Sequence, residues 1–529
     1  MTLETQRSGA RAGSAEAARV PGLVIVGHPD PARIGDRAWL ADLASPGSEA
    51  RLSRTEPPFA APKMNAFAPL DEPHLSRSPL MLHCNMDGLR LDASGTSTKV
   101  VVDGAPLAGE LALSDAALER GVVIELAGRV TLVLTRLGPP AATAVDALGM
   151  VGLSDGIARV RRDIANVADT EVPVLVRGET GSGKELVARA LHAESPRARG
   201  PFVAVNVAGL PETLAAAELF GHERGAFSGA DRPRRGLFGE ARGGTLFLDE
   251  IGDASPDVQV LLLRALETGE VRPVGADRAV PVDVRLVAAT DRDLDLATAD
   301  GAFRSPLYHR LAGYVIAVPP LRARRADVGL LLAAFLAAER AALGEAPLAA
   351  ASTPWLASAD LSRLVRYGWP GNVRELRNAA RQIAIASRGA AHASLGAHLE
   401  GLLAAFFAAE GAPDDDAGGV DAATTSEAPG GVSPAPRRRP QDIGEDELVA
   451  ALRAHRWKIG PTAAALGIAR PSLYDLIDKS ARIRKASDVG EDELRAACAA
   501  GEGLDALAER LEVSRRGLQL RLRELGLAG

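Results

Sequence analysis

Two short stretches of this sequence carry residues suited to nucleotide chemistry. The first is GETGSGKE, at residues 178–185. Its glycines, Gly178, Gly181 and Gly183, let backbone N–H groups wrap around phosphate oxygens. Lys184 opens a helical pattern and can reach the β- and γ-phosphates of a nucleotide. The loop predicts an ATP site whose other members are Glu179, Thr180, Ser182 and Glu185.

The second stretch is GGTLFLDE, an apolar strand that ends in Asp249 and Glu250. An acid at a strand end can hold Mg²⁺, and the acid beside it can polarise the water that attacks the γ-phosphate. We therefore expect Asp249 to be the metal ligand and Glu250 to act on the water. Glu185 departs from the general pattern, because Ser or Thr at that position would help to bind the magnesium. The two stretches together predict an ATPase with Mg²⁺ as cofactor.

These residues need a scaffold, and the surrounding sequence has the pattern of one. From about residue 150 to about residue 410, helical periods alternate with apolar strands such as VPVLVRG and VRLVAAT, which is typical of a parallel sheet with crossover helices. Short β-branched runs from Leu23 to Leu137 predict an all-β sandwich. The predicted fold class is therefore multidomain: an N-terminal all-β sandwich, a central α/β P-loop ATPase with a helical lid, and an all-α C-terminal part.

Composition places the boundaries between these parts. Residues 1–20 are small and polar and are expected to be disordered, and residues 411–440 have the Pro, Gly, Ser and Asp content of a flexible linker. GEDEL occurs at 444–448 and again at 490–494, so two copies of a helical module follow the linker. The expected parts are a β-sandwich at 21–138, the ATPase with its lid at 150–385, the helical end of the lid at 386–410, and helical modules at 441–480 and 488–529.

The bulk composition sets limits on the environment and the partners. Of 529 residues, 47% are hydrophobic, and the net charge is −7, so DNA binding would need a local basic surface. The two cysteines, Cys84 and Cys498, are too few and too far apart for a disulfide framework. Because no segment has the apolar length of a secretory signal or a membrane span, we expect a cytoplasmic protein without a membrane partner.

Five motifs, in order, resemble one protein family. They are GETGSGKE, ELFGHERGAFSGA, GGTLFLDEIGD, EVRPVG and WPGNVREL, between residues 178 and 376. They resemble the AAA+ ATPase domain of the bacterial enhancer-binding proteins that activate sigma-54 RNA polymerase. The resemblance implies the sigma-54 RNA polymerase holoenzyme as a partner, and a homo-oligomeric ring that is expected to be a hexamer when active. Glu commonly follows the phosphate-loop Lys in that family, so Glu185 fits the family pattern.

Residues 225–230, GAFSGA, are apolar within a highly charged neighbourhood, which indicates an exposed loop that contacts a partner. The resemblance identifies this loop with the one that these ATPases press onto sigma-54, usually written with Thr at the fourth position. Ser228 keeps the hydroxyl and loses the methyl group, so we expect reduced but real coupling to sigma-54. The expected contact comprises Gly225, Ala226, Phe227, Ser228, Gly229 and Ala230.

The resemblance also implies roles for single residues around the ATP site. Asn206 resembles the switch residue that holds the catalytic Glu250 until the nucleotide state changes. Arg304 and Arg310 match the pair of arginines that enter a neighbouring subunit's ATP site, where their planar donors spread over the developing charge. Arg374 resembles the sensor arginine of the lid, which contacts the nucleotide of its own subunit.

Two departures from the family pattern fall near this site. Asp291 stands where the family often has Asn or His. Ser305 and Pro306 replace an expected acidic pair after Arg304, and Pro306 is expected to bias Ser305 away from helix. The sequence therefore defines the position of Arg310 more firmly than that of Arg304.

The two C-terminal copies have the spacing of helix-turn-helix modules. The first copy resembles the Fis-type DNA-binding module of the same activators, and its small core would comprise Ala464, Ile468, Leu473 and Ile477. Its recognition helix would present three residues to double-stranded DNA: Arg470, Ser472 and Tyr474.

The second copy fits the same frame at an offset of 45 residues, so that Leu518 replaces Leu473. Ser514 is a good N-cap, and Arg515 and Arg516 make the following helix basic, as phosphate contact requires. A helical hairpin for dimerisation is the alternative for either copy.

The N-terminal sandwich resembles a forkhead-associated domain, which binds phosphothreonine peptides. The resemblance depends on HPDPARIGDRAWL, HLSRSPLML, VVDGAPL and GVVIELAGRVTLVL. Ser76 and Arg77 fit the family's Ser-Arg pair, and both could hold phosphate oxygens. Three positions depart from the pattern: Pro79, where His is usual, Asp36 after Gly35, where Arg is expected, and Asp103–Gly104 in place of Asn-Gly. Either a phosphothreonine protein is a partner, or the domain is degenerate and senses by protein contact.

These patterns predict an ATP-dependent transcriptional activator of sigma-54 RNA polymerase. The C-terminal helices would bind an enhancer-like DNA site, the ATPase ring would remodel the closed promoter complex, and the β-sandwich would regulate the ring. Two alternatives stay open: a DNA-binding regulator whose ATPase is vestigial, and an AAA+ unfoldase or chaperone. Measurable ATP turnover would exclude the first, and specific DNA binding would argue against the second.

Overall fold

The computed structural model describes residues 19–411 apart from 87, 140–146, 212–213, 228–229, 347, 349–350, 352 and 391, then residues 443–454 and single positions between 457 and 521. The chain divides into two compact units, Met1–Asp414 and Asp415–Gly529. Among the described residues, no helix has both the length and the apolar character needed to cross a membrane.

The first unit begins with a strand-rich part, here called the β domain. Its strands are β1 (Val20–Gly27), β2 (Arg37–Trp39), β3 (Glu49–Leu52), β4 (Phe59–Ala60), β5 (Phe67–Ala68), β6 (Leu80–Asn85), β7 (Gly88–Asp92), β8 (Val100–Val102), β9 (Ala105–Leu107), β10 (Glu110–Leu113), β11 (Val122–Leu126) and β12 (Val130–Leu137), with helix α1 (Asp115–Arg120) before β11. They form an antiparallel sheet of order β5-β4-β2-β1-β12-β11-β8-β9 and a second sheet of order β10-β7-β6-β3.

Residues of both sheets share one buried core. Leu23 and Ile25 of β1 belong to the same cluster as Leu82 and Leu91 of the smaller sheet. Strands β1, β11 and β12 are nearly continuously buried, rather than alternating between buried and exposed. An antiparallel strand with one wet face alternates, so runs such as LVIV and VVIEL indicate that the outer face of this sheet is also covered.

The central part of the unit is a parallel α/β layer structure, as the alternating pattern predicts. Its strands β13 (Val174–Arg177), β14 (Phe202–Asn206), β15 (Thr245–Asp249), β18 (Arg285–Thr290) and β19 (Tyr314–Ala317) form a sheet of order β14-β15-β18-β13-β19, and β16 (Glu270–Val271) pairs with β17 (Val280–Pro281). The helices are α2 (Asp155–Val167), α3 (Lys184–Ala193), α4 (Ala215–Phe220), α5 (Gly236–Glu240), α6 (Pro256–Thr268), α7 (Leu294–Ala299) and α8 (Ser305–Leu311). Since β13, β15 and β18 are parallel neighbours, their carboxyl ends meet at one edge of the sheet.

The lid follows, and its described residues form helices and connecting turns. A 3-10 segment (Leu321–Asp327) leads into α9 (Val328–Ala342), α10 (Ser358–Arg366), α11 (Asn372–Ala386) and α12 (Gly396–Gly411). Trp369 anchors the turn between α10 and α11: it is buried, and its Nε1 donates to the Leu364 carbonyl at 2.9 Å.

The outer face of the larger β sheet packs against this lid. Val26, Val123 and Val133 form one buried cluster with lid residues such as Leu361 and Leu364. The covered face that the strand pattern indicates is thus an interface within the same chain.

Most of the described residues of the second unit are helical. Helix α13 (Glu445–Ala454) begins inside the first GEDEL copy, and Leu448 and Leu452 on it are buried. Leu473 and Leu518, which occupy equivalent positions in the two copies, are both buried. The predicted DNA-contact residues Arg470, Ser472, Tyr474, Arg515 and Arg516 lie outside the described residues, as does the second GEDEL copy.

Candidate nucleotide site and contact surfaces

The phosphate loop joins β13 to α3 and is shaped by its glycines. Gly181 and Gly183 have φ of +76° and +111°, a region that glycine adopts without strain. A side chain at Gly181 would also clash with the Gly371 carbonyl oxygen, so the lid approaches the loop closely there. The amine of Lys184 donates to the Gly178 carbonyl at 2.9 Å, at the N-terminus of α3. Backbone donors, an amine and a helix N-terminus together form an anion site.

Two further loop residues differ in what they contact. Ser182 is buried, and within the described part of the chain its Oγ has no hydrogen-bond partner. A buried hydroxyl without a partner is costly, so this position fits a bound phosphate oxygen or a water on a bound metal. Glu185 lies on the exposed face of α3 and pairs with Arg189 at 2.7 Å. Its carboxylate is therefore engaged on the helix surface.

The two predicted acids lie at the carboxyl end of β15. The backbone N–H of Glu250 donates to Oδ1 of Asp249 at 3.0 Å, and Glu250 has φ of +53°. Such a backbone on a residue other than glycine is strained, which is typical of functional sites. Burial raises the pKa of Glu250; Lys184 lowers it, and Asp291, Asp249 and Asp253 raise it further. A carboxyl group with a raised pKa is suited to accepting a proton from water.

Two more carboxylates join Glu250 at this edge. Glu250, Asp253 and Asp291 each place one carboxylate oxygen within 4.8 Å of the others. Asp291 follows β18 and accepts a 2.6 Å hydrogen bond from the hydroxyl of Thr180 in the phosphate loop. Asp253 pairs with Arg292. Asp253 is absent from the predicted site, although the second Asp of LDEIGD, three residues after Glu250, was the available signal.

The lid touches the phosphate loop through the first turn of α11. The N–H groups of Val373 and Arg374 donate to the Gly181 carbonyl at 3.0 and 3.3 Å. Arg374 is exposed, with its stem beside Gly181, which is compatible with the predicted contact to a nucleotide.

Asn372 and Arg322 complete this contact, and the sequence prediction missed both. The amide of Asn372 donates to Oε2 of Glu179 and to the Thr180 carbonyl, each at 3.1 Å. Arg322 donates to the same Glu179 carboxylate at 2.7 Å. Glu179 is thus held by two lid residues, and the pKa of its carboxyl group is lowered, mainly by the hydrogen bond from Arg322. For Asn372, the motif WPGNVREL that contains it was the available sequence signal.

A small apolar cavity adjoins the phosphate loop on the lid side. It has a volume of about 80 Å³ and reaches Ser182 and Gly183. Apolar walls beside a phosphate loop suit the flat face of a nucleotide base. The apolar lining comes from Met150, Ile157, Leu186, Val318, Phe335 and Val373.

The structure corrects one expectation about the predicted trans arginines. Ser305 is the first residue of α8 and Pro306 lies in its first turn, with Arg304 as N-cap, so the proline does not keep Ser305 out of the helix. The first-turn N–H groups have no partner inside a helix, so a proline there loses no hydrogen bond. Arg304 and Arg310 are both exposed, at the start and near the end of this helix.

Asn206 stands beside Asp249 across the sheet, because the two residues pair in the β14–β15 register. Its Oδ1 accepts from the Ala208 N–H at 3.0 Å and caps the turn that follows the strand. In this state its amide is therefore engaged in its own turn, and its role as a switch for Glu250 stays a prediction.

The GAFSGA loop is closed at its base and carries an exposed aromatic ring. The N–H of Gly225 donates to the Ala230 carbonyl at 2.8 Å, and the N–H of Ala230 donates to the Phe227 carbonyl at 3.0 Å. Phe227 is 36% exposed, and its ring makes a T-shaped contact with the His222 ring, with the ring centroids 4.9 Å apart. Ser228 and Gly229 lie outside the described residues.

The Ser76–Arg77 loop of the β domain lies beside two other loops. The N–H of Ser76 donates to Oγ1 of Thr98 at 2.8 Å, and the N–H of Arg54 donates to the Ser76 carbonyl at 3.1 Å. Arg77 is exposed, and the half-buried Arg54 pairs with Asp71 at 3.3 Å. Arg54 is a cation of this surface that the sequence prediction missed. The available sequence signal was its position in LSRT, ahead of a turn.

The structure places two of the departures from the forkhead-associated pattern elsewhere. Asp36 is buried and accepts a 2.6 Å hydrogen bond from Arg33, beside Gly35, which faces Leu330 of the lid. Gly104, after Asp103, faces Arg366 of α10. Both acids are therefore engaged next to the lid: Asp36 accepts from Arg33, and Asp103 accepts from the Val123 N–H at 3.0 Å.

Comparison with known proteins agrees with the geometry of the central part. Residues 150–317 match the Sigma-54 interaction domain, and residues 322–399 match the AAA+ ATPase lid domain. The transcriptional regulatory protein ZraR of Escherichia coli strain K12 is 50% identical over 246 residues, which are 46% of this chain and 54% of that protein. The Nif-specific regulatory protein of Rhodobacter capsulatus is 49% identical over 253 residues, which are 48% and 42% of the two chains.

This chain thus spans about half the length of the curated relatives that it matches. Among solved structures, NtrX from Brucella abortus in complex with ADP is 30% identical, with a TM-score of 0.43 and coverage of 63% of this chain and 69% of that chain. The phosphate loop, the acid-tipped strand and the lid of this chain lie inside the two matched regions. The central part of the chain therefore resembles a sigma-54 interaction domain followed by its lid, and the chain contains an ATPase of the AAA+ P-loop class.

Proposed function

We propose that this protein is an ATP-dependent transcriptional activator of sigma-54 RNA polymerase, in which ATP hydrolysis drives the GAFSGA loop against sigma-54. The observation that carries the proposal is the match of residues 150–317 to the Sigma-54 interaction domain, together with the exposed ring of Phe227 on the loop between 225 and 230. An exposed aromatic side chain on a closed loop is suited to being a contact to another protein.

The ATP site works through groups that converge at one sheet edge. Lys184 and the loop N–H groups bind the β- and γ-phosphates, and Ser182 contributes its buried hydroxyl. Asp249 would hold Mg²⁺, which supplies positive charge to the phosphate oxygens when it is bound. Glu250 takes the proton from the attacking water, and its raised pKa is suited to that step. Asn206 would restrain Glu250 until the nucleotide changes.

Three arginines would stabilise the negative charge that develops on the γ-phosphate during hydrolysis. Arg374 of the lid lies next to the phosphate loop of its own chain. Arg304 and Arg310 are exposed on α8, so a neighbouring chain's ATP site can receive them. Catalytic arginines that act in trans require a ring, and we propose a homohexamer as the active form.

The C-terminal unit positions the ring on DNA. We assign the contacts to Arg470, Ser472 and Tyr474 in the first copy, and to Arg515 and Arg516 in the second. Their spacing fits a recognition helix in the major groove, with arginines on the phosphates. A tandem arrangement leaves one copy free to contribute dimer contacts.

We assign the β domain a regulatory role through a forkhead-associated fold that binds phosphothreonine. Ser76 and Arg77 are the proposed phosphate contacts, and Arg54 lies on the same surface. The hydroxyl of Ser76 and the guanidinium groups of Arg77 and Arg54, in adjoining loops, are chemically suited to a phosphate dianion.

Open-complex formation on a sigma-54 promoter with purified components tests the proposal. The protein is expected to open the promoter only with ATP and sigma-54 holoenzyme, and Phe227→Ala is expected to lower opening at least about tenfold while ATP turnover stays near normal. Phe67→Ala, at a 62% exposed phenylalanine of the β domain, is the matched control and should open the promoter normally. Unchanged opening by Phe227→Ala would overturn the assignment of the loop.

A further inference from the structure

Arg324 and Arg325 are neighbours in sequence and bind opposite sides of the lid base. Nη2 of Arg324 donates to the Ser182 carbonyl of the phosphate loop at 3.4 Å. Nη1 of Arg325 donates to the Gly121 carbonyl of the β domain at 3.1 Å. The backbone of Arg324, with φ of −136° and ψ of +49°, is not helical and interrupts the 3-10 segment. This interruption allows the side chains of Arg324 and Arg325 to point in different directions. One short segment therefore contacts both the ATP site and the β domain.

The base of the lid is fixed by a buried carboxylate on the same segment. Asp327 is fully buried and accepts from the N–H groups of Leu153 and Ser154 at 2.7 and 2.9 Å, just before α2. It also lies 4.0 Å from the Arg324 guanidinium, which is itself buried. This network defines a pivot between the lid and the ATPase core.

The contact of the β domain with the lid has the character of a protein core. Val26, Val123 and Val133 share one buried cluster with the lid helices. Gly329 of α9 lies so close to the Val26 carbonyl that an added Cβ would clash with it. Such backbone contact through a glycine is typical of elements that are packed permanently.

One buried pair of hydroxyl groups is hydrogen-bonded across this interface. The hydroxyl of Thr131 on β12 donates to Oγ of Ser358 on α10 at 3.2 Å, and both residues are buried. Separation of the β domain from the lid would expose this pair together with the apolar cluster. The interface is therefore unsuited to repeated release.

Leu153, beside the Asp327 pivot, shares the buried cluster of Val26 and Val123, but the polar contacts of the β domain with the ATPase core are different in kind. Arg19 donates to Oδ2 of Asp155 at 2.8 Å, and both side chains are 36% exposed. The N–H of Gly138 donates to the same carboxylate at 3.1 Å. Exposed ion pairs contribute little to stability, so these contacts can break and reform as the lid moves.

We propose that the β domain and the lid move as one rigid body about the Asp327 pivot, and that Arg325 is a positioning residue through which the β domain sets the hold of Arg324 on the phosphate loop. Regulation by the β domain then acts by tilting the lid over the ATP site. It does not require release of the β domain from the lid. Nucleotide affinity is the quantity that this arrangement controls directly.

A disulfide across the interface tests the rigid-body part. In full-length protein with Cys84 and Cys498 replaced by serine, we would introduce Thr131→Cys and Ser358→Cys, whose replaced oxygens are 3.2 Å apart. The disulfide is expected to form on mild oxidation, and kcat and KM for ATP are expected to stay within about twofold of the reduced form. Each single cysteine variant is the control for oxidation itself. A tenfold or larger loss of turnover that reduction restores would overturn the proposal, as would failure of the disulfide to form.

Substitution of Arg325 tests the positioning part. Arg325→Met removes the hydrogen bonds to Gly121 and to the Arg366 carbonyl while keeping an apolar stem. It is expected to raise KM for ATP about fivefold or more, with kcat changed by less than about twofold. Arg381→Met, at a lid arginine that pairs with Glu339 inside the lid, is the matched control and should leave KM unchanged. Equal KM values for the two variants would overturn the role of Arg325.

These readouts use ATP turnover alone. A failure of the proposed sigma-54 contact would leave both results unaffected, so the two proposals can fail separately.

Discussion

The hydroxyl of Thr180 donates a 2.6 Å hydrogen bond to Asp291, which ties the phosphate loop to the end of β18. This bond places a carboxylate where the related domains often carry Asn or His, and within 4.8 Å of a Glu250 carboxylate oxygen. Burial raises the pKa of Glu250, and the negative charge of Asp291 raises it further. Asp291 therefore favours the protonated form of Glu250, the group that we propose as the proton acceptor.

Asp291→Asn is expected to move the acid limb of the pH profile of ATP turnover to lower pH. In the proposed mechanism Glu250 acts as a base when it is deprotonated, so turnover is expected to fall as the pH drops through its pKa. Removing the charge of Asp291 lowers that pKa and extends the active range toward acid. The measurement is kcat against pH. Asp300→Asn, at an exposed residue that ends α7, should leave the profile in place. An unchanged profile for Asp291→Asn would show that this charge does not influence the base.

Binding and hydrolysis of ATP are expected to separate in two variants. Lys184→Ala should abolish measurable nucleotide binding, because the amine of Lys184 is the cation at the start of α3. Glu250→Gln should retain binding and lose about 10²–10⁴-fold in turnover, since the amide cannot accept the proton from water. Fluorescent ADP titration and phosphate release measure the two steps.

Glu185→Gln is the matched control for these variants. Glu185 pairs with Arg189 on the exposed face of α3, so its substitution should leave both steps near normal. A loss of magnesium dependence in Glu185→Gln would instead place this carboxylate in the metal site.

The sequence predicted the central layer structure because its signals are local. The phosphate loop and the acid-tipped strand are short motifs, and a parallel sheet brings their ends together whatever the intervening loops do. The two motifs and the alternation of strands and helices therefore sufficed to predict one ATP site that contains both Lys184 and Glu250. The contacts of Asn372 and Arg322 with Glu179 were not predictable in this way, because they depend on how the lid sits over the loop.

The sequence indicated that the larger sheet of the β domain is covered on its outer face, but not that the lid covers it. Apolar residues on both faces of β1, β11 and β12 indicate a second covered face, but they do not say what covers it. The position of Asp36 shows the same limit. In the sequence, Asp36 stands after Gly35 where the forkhead-associated pattern has an Arg. In the structure, Gly35 faces Leu330 of the lid. Long-range packing decided both cases.

Two lid glycines are expected to respond oppositely to alanine. Gly329→Ala should lower the free energy of unfolding by ~1–3 kcal/mol, because the new Cβ would press against the Val26 backbone. Gly401→Ala, on the exposed face of α12 with no neighbour within 4 Å of the new Cβ, should raise it by up to ~1 kcal/mol through helix propensity. Denaturant unfolding followed by circular dichroism measures both. A neutral Gly329→Ala would contradict the close contact between α9 and β1.

Phosphothreonine binding by the β domain is expected to depend on competition for Arg54. Arg54 pairs with Asp71 at 3.3 Å, so an incoming phosphate has to displace or share that guanidinium. Arg77→Ala should weaken a phosphothreonine peptide at least about tenfold, which corresponds to ~1.4 kcal/mol, by removing an exposed cation. Asp71→Asn should strengthen binding, because it releases Arg54 and removes a negative charge.

Calorimetric titration with matched phosphorylated and unphosphorylated peptides measures these changes. Peptide affinity is expected to fall in Arg77→Ala and to rise in Asp71→Asn. Loss of folding would weaken binding in every variant, so it could not explain a gain in Asp71→Asn. Arg90→Ala, at an exposed arginine that pairs with Glu110 on neighbouring strands, is the matched control and should bind as the unmodified protein does. If the phosphorylated peptide binds no better than its unphosphorylated form in any variant, the surface around Ser76 recognises protein without phosphate, and the regulatory input of this domain is a protein contact.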